Sequence, residues 1–270
     1  MSSSAPGARP CIEGNLPTRS GHEGALPLER SLPLVQRGPG LKLSILVPVF
    51  NERSRVKELL DRVLHAPLPL GWTREILLID DGSTDGTSDL LDTLAQGDLV
   101  RVHHSPVNCG KGTSVRIGLK LASGEYVLIQ DADLEYDPQD YPSLLEPLRT
   151  GQADVVYGSR FLGCRQGMSF SHFLGNHLLT WTANILFRGR LTDAYTCYKA
   201  MPLLLARSLD LRARDFDIEA EITARVLSRR LRVQEVPIHY RARSGQEGKK
   251  IRKMDGLLGW LALLRYRFLS

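Results

Sequence analysis

Three carboxylates at alternate positions, Asp131, Asp133 and Glu135, end an apolar run in the segment YVLIQDADLEYDP, residues 126–138. Carboxylates this close repel one another, a cation relieves the repulsion, and hard oxygen donors suit Mg2+ or Mn2+. The run 126–129 has the length and the β-branched and aromatic content of a buried strand. Acids at the carboxyl end of such a strand stand where open α/β sheets bind ligands. The same residues also fit a solvated acidic turn closed by Pro138, so the rest of the chain has to decide.

Other chemistry-bearing groups recur just past apolar runs. Pro48, Phe50 and Glu52 in PVFNE offer an aromatic face and a carboxylate, which suit a base and ribose hydroxyls. Phe50 reads equally as a core aromatic. Asp81 in IDDGSTDGT, two residues past Ile79, can accept a hydrogen bond from a base N–H, or it can serve an Asx turn. Lys111 in NCGKG follows a glycine at a helix start, where backbone N–H groups and a cation favour an anion; a surface counter-ion is the plainer alternative. Arg160 in GSR suits bidentate phosphate recognition. Asp193 in LTDAYTCYKA and Asp217 and Glu219 in DFDIEAE are further candidate acids, the last two also being ordinary helix N-terminal residues. Lys249 and Lys250 sit on a glycine-bearing basic stretch that can close over a diphosphate or stand as a solvated charge run.

Alternating strands and helices have to position these groups. Strands are expected at 41–50, 74–80, 99–104, 126–129 and 154–158. Helices are expected from a cap at Asn51 to about 65, after Gly86 to about 96, after NCGKG to 122, and over 141–149. This alternation predicts βαβ units and a mostly parallel sheet flanked by helices, with every reactive loop on one edge. Further on, 170–187 is an apolar helix, 191–200 is short and partly extended, 216–230 is a helix, 232–240 a strand and 255–268 a short helix. There are no internal repeats. Residues 1–40, rich in Ser, Pro, Gly and Arg, read as a disordered tail, 41–250 as the ordered domain, and 251–270 as an amphipathic helix.

The chain has 270 residues, 42% hydrophobic and 24% charged, with a formal charge of +5, all ordinary for one globular domain. Four cysteines without CxxC or partnered histidine spacing argue for a reducing compartment and against zinc or a disulfide framework. The first residues lack the apolar core of a signal peptide, and no run approaches a spanning helix. The expected location is the cytoplasm, or the cytoplasmic face of a membrane as a peripheral protein. The missing GxGxxG disfavours a dehydrogenase, and the basic stretch lacks the interleaved aromatics of a nucleic-acid module.

PVFNE, IDDGSTDGT, NCGKG and DADLE together resemble the family 2 glycosyltransferases of the GT-A fold, over about residues 42–250. QDADLE, GSR, LTDAYTCYKA and GKKI narrow the likeness to the polyprenol-phosphate (dolichol-phosphate) mannosyl- and glucosyltransferases. The resemblance implies inverting transfer of a hexose from a nucleotide-sugar donor, GDP-mannose or UDP-glucose in type, to a polyprenyl phosphate. It implies Asp131, Asp133 and Glu135 as ligands of Mg2+ or Mn2+, although the mannosyl enzymes usually carry Gln at position 135. Substrate contacts are expected from Pro48, Phe50, Glu52, Ile79, Asp81, Lys111, Asp131, Ala132, Arg160, Lys249 and Lys250, and the chemistry itself from Asp133, Arg160 and Asp193. The basic cluster and the terminal helix, with Trp260, Tyr266 and Phe268, read as a membrane-surface element or as a packed core helix. A soluble acceptor, or a module that binds a nucleotide sugar without turning it over, is the alternative. The oligomeric state stays open.

Overall fold

A computed structural model of the protein describes residues 40–243 and 253–268; Lys249 and Lys250 and the expected tail 1–40, except Gly40, lie outside the described residues. Strands β1 (Lys42–Val49), β2 (Thr73–Asp80), β3 (Val100–His104), β4 (Tyr126–Ile129), β5 (Val155–Ser159), β7 (Lys199–Pro202) and β8 (Val233–Pro237) form one sheet in the order β3-β2-β1-β4-β7-β5-β8. All neighbours run parallel except β7, which is antiparallel to both β4 and β5. A separate two-stranded ribbon pairs β6 (Arg165–Gln166) with β9 (Tyr240–Arg241).

The helices are α1 (Val56–His65), α2 (Thr87–Leu94), α3 (Lys111–Leu121), α4 (Tyr141–Arg149), α5 (Phe170–Phe187), α6 (Leu203–Ser208), α7 (Ile218–Ser228) and α8 (Lys253–Phe268). Parallel strands covered on both faces read as continuous apolar runs, and Leu43, Ile45, Leu46 and Val47 of β1 are indeed fully buried. Helix α1 turns Val56, Leu59, Leu60 and Val63 to the core at helical spacing. At the sheet edge away from the reactive loops, the buried Glu75 carboxylate takes hydrogen bonds from Ser44 Oγ (2.6 Å), Ser123 N (2.6 Å) and Ser123 Oγ (2.8 Å), tying β1, β2 and the turn before β4 together.

The α/β expectation is met, with two local corrections. Asn51 does not cap α1: it takes a left-handed φ of 51°, its N–H donates to Ser83 Oγ, and its side-chain oxygen accepts from Thr84 N, so it stitches two strand-end loops together. The stretch 191–200 ends in β7, which enters the sheet from the reactive edge and so leaves residues 193–198 there. Among the described cysteines, Cys109 is an exposed and Cys197 a buried free thiol.

Candidate active site

The loops after β1, β2, β4 and β5 share one edge because their strands are parallel. Two basic residues show how closely they converge. Lys111, the first residue of α3, places Nζ 2.7 Å from Asp131 Oδ1 and 3.0 Å from Glu219 Oε1. Arg243, just past β9, places Nη2 2.9 Å from Glu52 Oε1 and 3.5 Å from Asp133 Oδ2, while its Nε donates to the Asp133 carbonyl (3.2 Å). One guanidinium thus reaches from the loop after β1 to the loop after β4.

Backbone geometry builds these positions. Asp81 continues the β2 edge, its N–H donating to Val49 O, and both its carboxylate oxygens accept backbone N–H groups, from Cys109 and Gly110, at 2.8 Å each. Burial pushes the Asp81 carboxyl above its ordinary range against the pull of those two bonds. Its observed partners are therefore the NCGKG backbone, which it holds in place so that Lys111 can reach Asp131. Gly110 has φ +90°, and a Cβ there would lie 2.5 Å from the Arg214 carbonyl oxygen, so only glycine lets the 214–217 segment approach. Burial alone would favour neutral Lys111, but the Asp131 and Glu219 carboxylates outweigh it and hold the ammonium protonated well above its usual range.

The acid motif divides. Asp131 and Asp133 are each about a quarter exposed, 24%, so both carboxylates reach the open edge. Asp133 Oδ1 accepts Glu135 N (3.1 Å) across Leu134, whose φ of 64° is a strained conformation for a bulky side chain. Glu135 is committed elsewhere: Oε2 accepts the Tyr240 hydroxyl (2.6 Å) and Oε1 accepts Arg243 N (3.0 Å), pinning the loop to β9. Among the described residues no three His, Cys, Asp or Glu side chains form a metal cluster. The Glu135 carboxylate is thus committed to Tyr240 and Arg243, while those of Asp131 and Asp133 stand at the open edge. Two such carboxylates suit Mg2+ or Mn2+, because Mg2+ is commonly held by one or two carboxylates with phosphate oxygens and water completing its shell.

Arg160 and Asp193 are assigned to each other. Arg160 Nε and Nη2 donate to Asp193 Oδ2 (2.7 Å) and Oδ1 (2.8 Å), Arg160 N donates to Oδ2 (3.1 Å), and Nη2 also donates to Asn176 of α5 (3.0 Å). Asp193 is fully buried, and the Arg160 guanidinium lies over the Tyr240 ring at 5.4 Å. The pair fastens the end of β5 to the loop before β7, and neither member reaches out as the phosphate ligand or acceptor-side acid that the motifs suggested. Glu219 is held between two ammonium groups, Lys111 and the fully buried Lys199. Pro48 pairs in register with the buried Ile79, Ala132 is buried, Phe50 is half-buried, and Glu52 N donates to Thr87 Oγ1 (3.1 Å).

Reading the motifs missed Arg243, Tyr240 and Lys199. The signal for Arg243 lay in the HYRAR run, where alternate residues of a strand share a face; the basic run read as solvated charge hid it.

The sequence model of the family described as "Glycosyl transferase family 2" matches residues 44–201, more than half of the 270-residue chain. The chain is similar to "Dodecaprenyl-phosphate galacturonate synthase" of Rhizobium johnstonii, 33% identical over 156 residues, which are 56% of this chain and 44% of that protein. It is also similar to "Polyprenol monophosphomannose synthase" of Mycolicibacterium smegmatis, 29% identical over 80% of this chain and 84% of that one. The chain thus spans less than half the length of the first and most of the second. Among solved structures, glucosyl-3-phosphoglycerate synthase from Mycobacterium tuberculosis, in complex with Mn2+, uridine diphosphate and glucosyl-3-phosphoglycerate, superposes with a TM-score of 0.65 at 22% identity, covering 86% of this chain and 81% of that one, a likeness of fold.

Proposed function

Because the chain belongs to glycosyl transferase family 2, we propose that it transfers a hexose from a nucleoside-diphosphate sugar to a polyprenyl phosphate, with inversion at the anomeric carbon. The observation that carries this reading is the meeting of Glu52, Asp131 and Asp133 around Lys111 and Arg243, on the carboxyl edge of a parallel sheet. The base and ribose lie along Pro48, Phe50 and Glu52, at the β1 end beside the NCGKG loop. Asp131 and Asp133 would hold Mg2+ or Mn2+, which would offset charge on the departing diphosphate. Lys111 and Arg243 supply further positive charge to the same phosphates.

The acceptor follows from what the acids are doing. Asp193 and Glu219, the deeper acids on that side, are both taken up by cations. With Asp193 and Glu219 so engaged, the site suits an acceptor whose attacking oxygen is already anionic, and a phosphate monoester needs orientation more than proton removal. The names of the two relatives, a dodecaprenyl-phosphate galacturonate synthase and a polyprenol monophosphomannose synthase, support the lipid form of that acceptor.

The experiment mixes purified protein, Mn2+ or Mg2+, labelled GDP-mannose or UDP-glucose and a short polyprenyl phosphate in detergent, with 3-phosphoglycerate in a parallel arm. Labelled lipid is the expected product, and Asp133→Ala should abolish it without lowering the melting temperature. Label on phosphoglycerate alone would establish the soluble acceptor instead, and donor binding with no product in any arm would reduce the protein to a binding module.

A further inference from the structure

Four charged side chains of alternating sign run inward from the open edge: Asp131, Lys111, Glu219 and Lys199. Exposure falls along the row. The Asp131 side chain is 24% exposed, Lys111 11%, Glu219 6% and Lys199 not at all. Lys111 Nζ lies 2.7 Å from Asp131 Oδ1 and 3.0 Å from Glu219 Oε1, so one ammonium serves two carboxylates. Lys199 donates to Glu219 Oε2 and to Thr196 O, and its Nζ lies 4.9 Å from the centre of the Tyr157 ring. The two oxygens of Glu219 are thus divided between two ammonium groups.

Backbone contacts fix the elements that carry this row. Strand β7 pairs Lys199 with Tyr157 of β5, and α7 carries Glu219 in its first turn. The segment before α7 lies against the start of α3: Thr113 N donates to Arg214 O (2.9 Å), and a Cβ on Gly112 would stand 2.6 Å from Ala213 O. Glu221 Oε2 accepts from Arg212 N (2.8 Å) and Ala213 N (2.7 Å), which ties that segment to α7. Backbone packing therefore sets the span from Lys111 to Glu219. What can adjust is how the Lys111 ammonium, with its three donors, divides itself between its two carboxylates.

A largely buried ammonium gives up a carboxylate at a high cost unless another is at hand. Glu219 is that second partner. A cation that reaches Asp131 from the open edge can displace Lys111 while the ammonium stays paired. Lys199 takes the other Glu219 oxygen and so keeps Glu219 from drawing Lys111 off Asp131 altogether.

We propose that Glu219, backed by Lys199, is a positioning residue that sets how firmly Lys111 holds Asp131, and hence how readily a divalent cation takes that carboxylate. The inference rests on the reading of Asp131 and Asp133 as the metal-binding pair, and its test requires no donor, acceptor or transfer.

Mn2+ is titrated into the full chain without nucleotide, and the electron paramagnetic resonance signal of the free ion reads its binding. Lys199→Met with Glu219→Gln removes one charge of each sign, so the field at Asp131 changes little while Lys111 is left to Asp131. Mn2+ affinity should fall about tenfold. In the Lys111→Gln background the same two substitutions should change it by less than about twofold. Replacing both members of a buried pair is often tolerated, and a melting curve checks that the fold is kept. Glu219→Asp keeps a charge beside Lys199 but shortens the reach to Lys111; it should weaken Mn2+ binding in the same direction and serves if the paired variant does not fold. Equal Mn2+ affinity of the wild type and these variants overturns the proposal. So does a fall that persists undiminished in the Lys111→Gln background, because Glu219 would then act on the cation without Lys111. The expected pattern of Mn2+ binding with no labelled product in any arm would refute the transfer reading alone, and labelled product with unaltered Mn2+ affinity in the variants would refute this inference alone.

Discussion

Asp193→Ala separates a structural acid from a catalytic one. In the folded protein the Asp193 carboxylate is wholly buried and receives three hydrogen bonds from Arg160, while Asp193 N donates to Glu235 Oε1 (2.8 Å). Removing the carboxylate takes three hydrogen bonds from Arg160 and leaves its buried guanidinium without its counter-charge. Breaking one side of a buried pair costs about 3–5 kcal/mol, whereas replacing both members with apolar residues of similar volume is often nearly neutral. For a domain of this size each kcal/mol moves the melting temperature by roughly 2–4 °C, so Asp193→Ala should melt roughly 10 °C low. Arg160→Met with Asp193→Leu should recover most of that loss, and urea unfolding of the four proteins closes the double-mutant cycle. If Asp193→Ala unfolds within about 0.5 kcal/mol of wild type yet makes no product, the carboxylate acts on the substrate and the positioning argument is wrong.

Lys111→Gln should strengthen Mn2+ binding in the absence of nucleotide by about tenfold, or about 1.4 kcal/mol, because a competing cation leaves Asp131, and should weaken nucleoside diphosphate binding; calorimetry reads both. Glu75 tests the far edge of the sheet. Burial opposes its ionisation, but the bonds from Ser44, Ser123 and Lys42 win and bring its carboxyl down from 4.5 to about 2. That stabilisation is present above about pH 4.5 and is lost as pH falls through 2, so Glu75→Gln should cost about 3 kcal/mol at pH 7 and flatten the acid limb of a urea series. His104 lies between Asp80 (2.9 Å) and Asp92 (3.0 Å), and the Asp80 hydrogen bond raises its pKa above the ordinary 6.5. Its contribution is complete below pH 6.5 and fades as pH rises through the raised value, so His104→Asn should remove an alkaline decline in the urea midpoint and leave the value at pH 8.5 almost unchanged.

Much of the architecture was legible in the sequence because it rests on local rules. Apolar runs of strand length, glycine turns and helical spacing located β1 to β5, α4 and α5 within a residue or so, and parallel pairing then put their loops on one edge. The missing parts are non-local. Nothing within KAMP says that β7 will run antiparallel between β4 and β5; that follows from where an 18-residue helix delivers the chain. The partners of the site residues are non-local too. Arg160 and Asp193 have the right residue types for phosphate and acceptor chemistry, and each is hydrogen-bonded to the other across 33 positions. Glu135 reads as a third metal ligand by spacing and is claimed by Tyr240 and Arg243, more than 100 residues on.

The distribution of charge explains why a diphosphate would arrive with a cation. Glu52, Asp81, Asp131, Asp133 and Glu135 crowd one edge, opposed there by Lys111 and Arg243. An anionic diphosphate entering alone would meet more carboxylates than ammonium and guanidinium groups. Two of the acids have uncharged donors as partners: Asp81 two backbone N–H groups and Glu135 a hydroxyl and a backbone N–H. That leaves Glu52, Asp131 and Asp133 facing Lys111 and Arg243, with Arg55 Nη1 also 3.4 Å from Glu52 Oε2, so the basic side chains are already matched by carboxylates before a ligand brings further negative charge. A divalent ion would offset that charge, and Asp131 and Asp133, whose carboxylates are partly exposed, are the residues that would hold it. The acids buried against donors shape the loops, and the acids left open to solvent remain available for ligands.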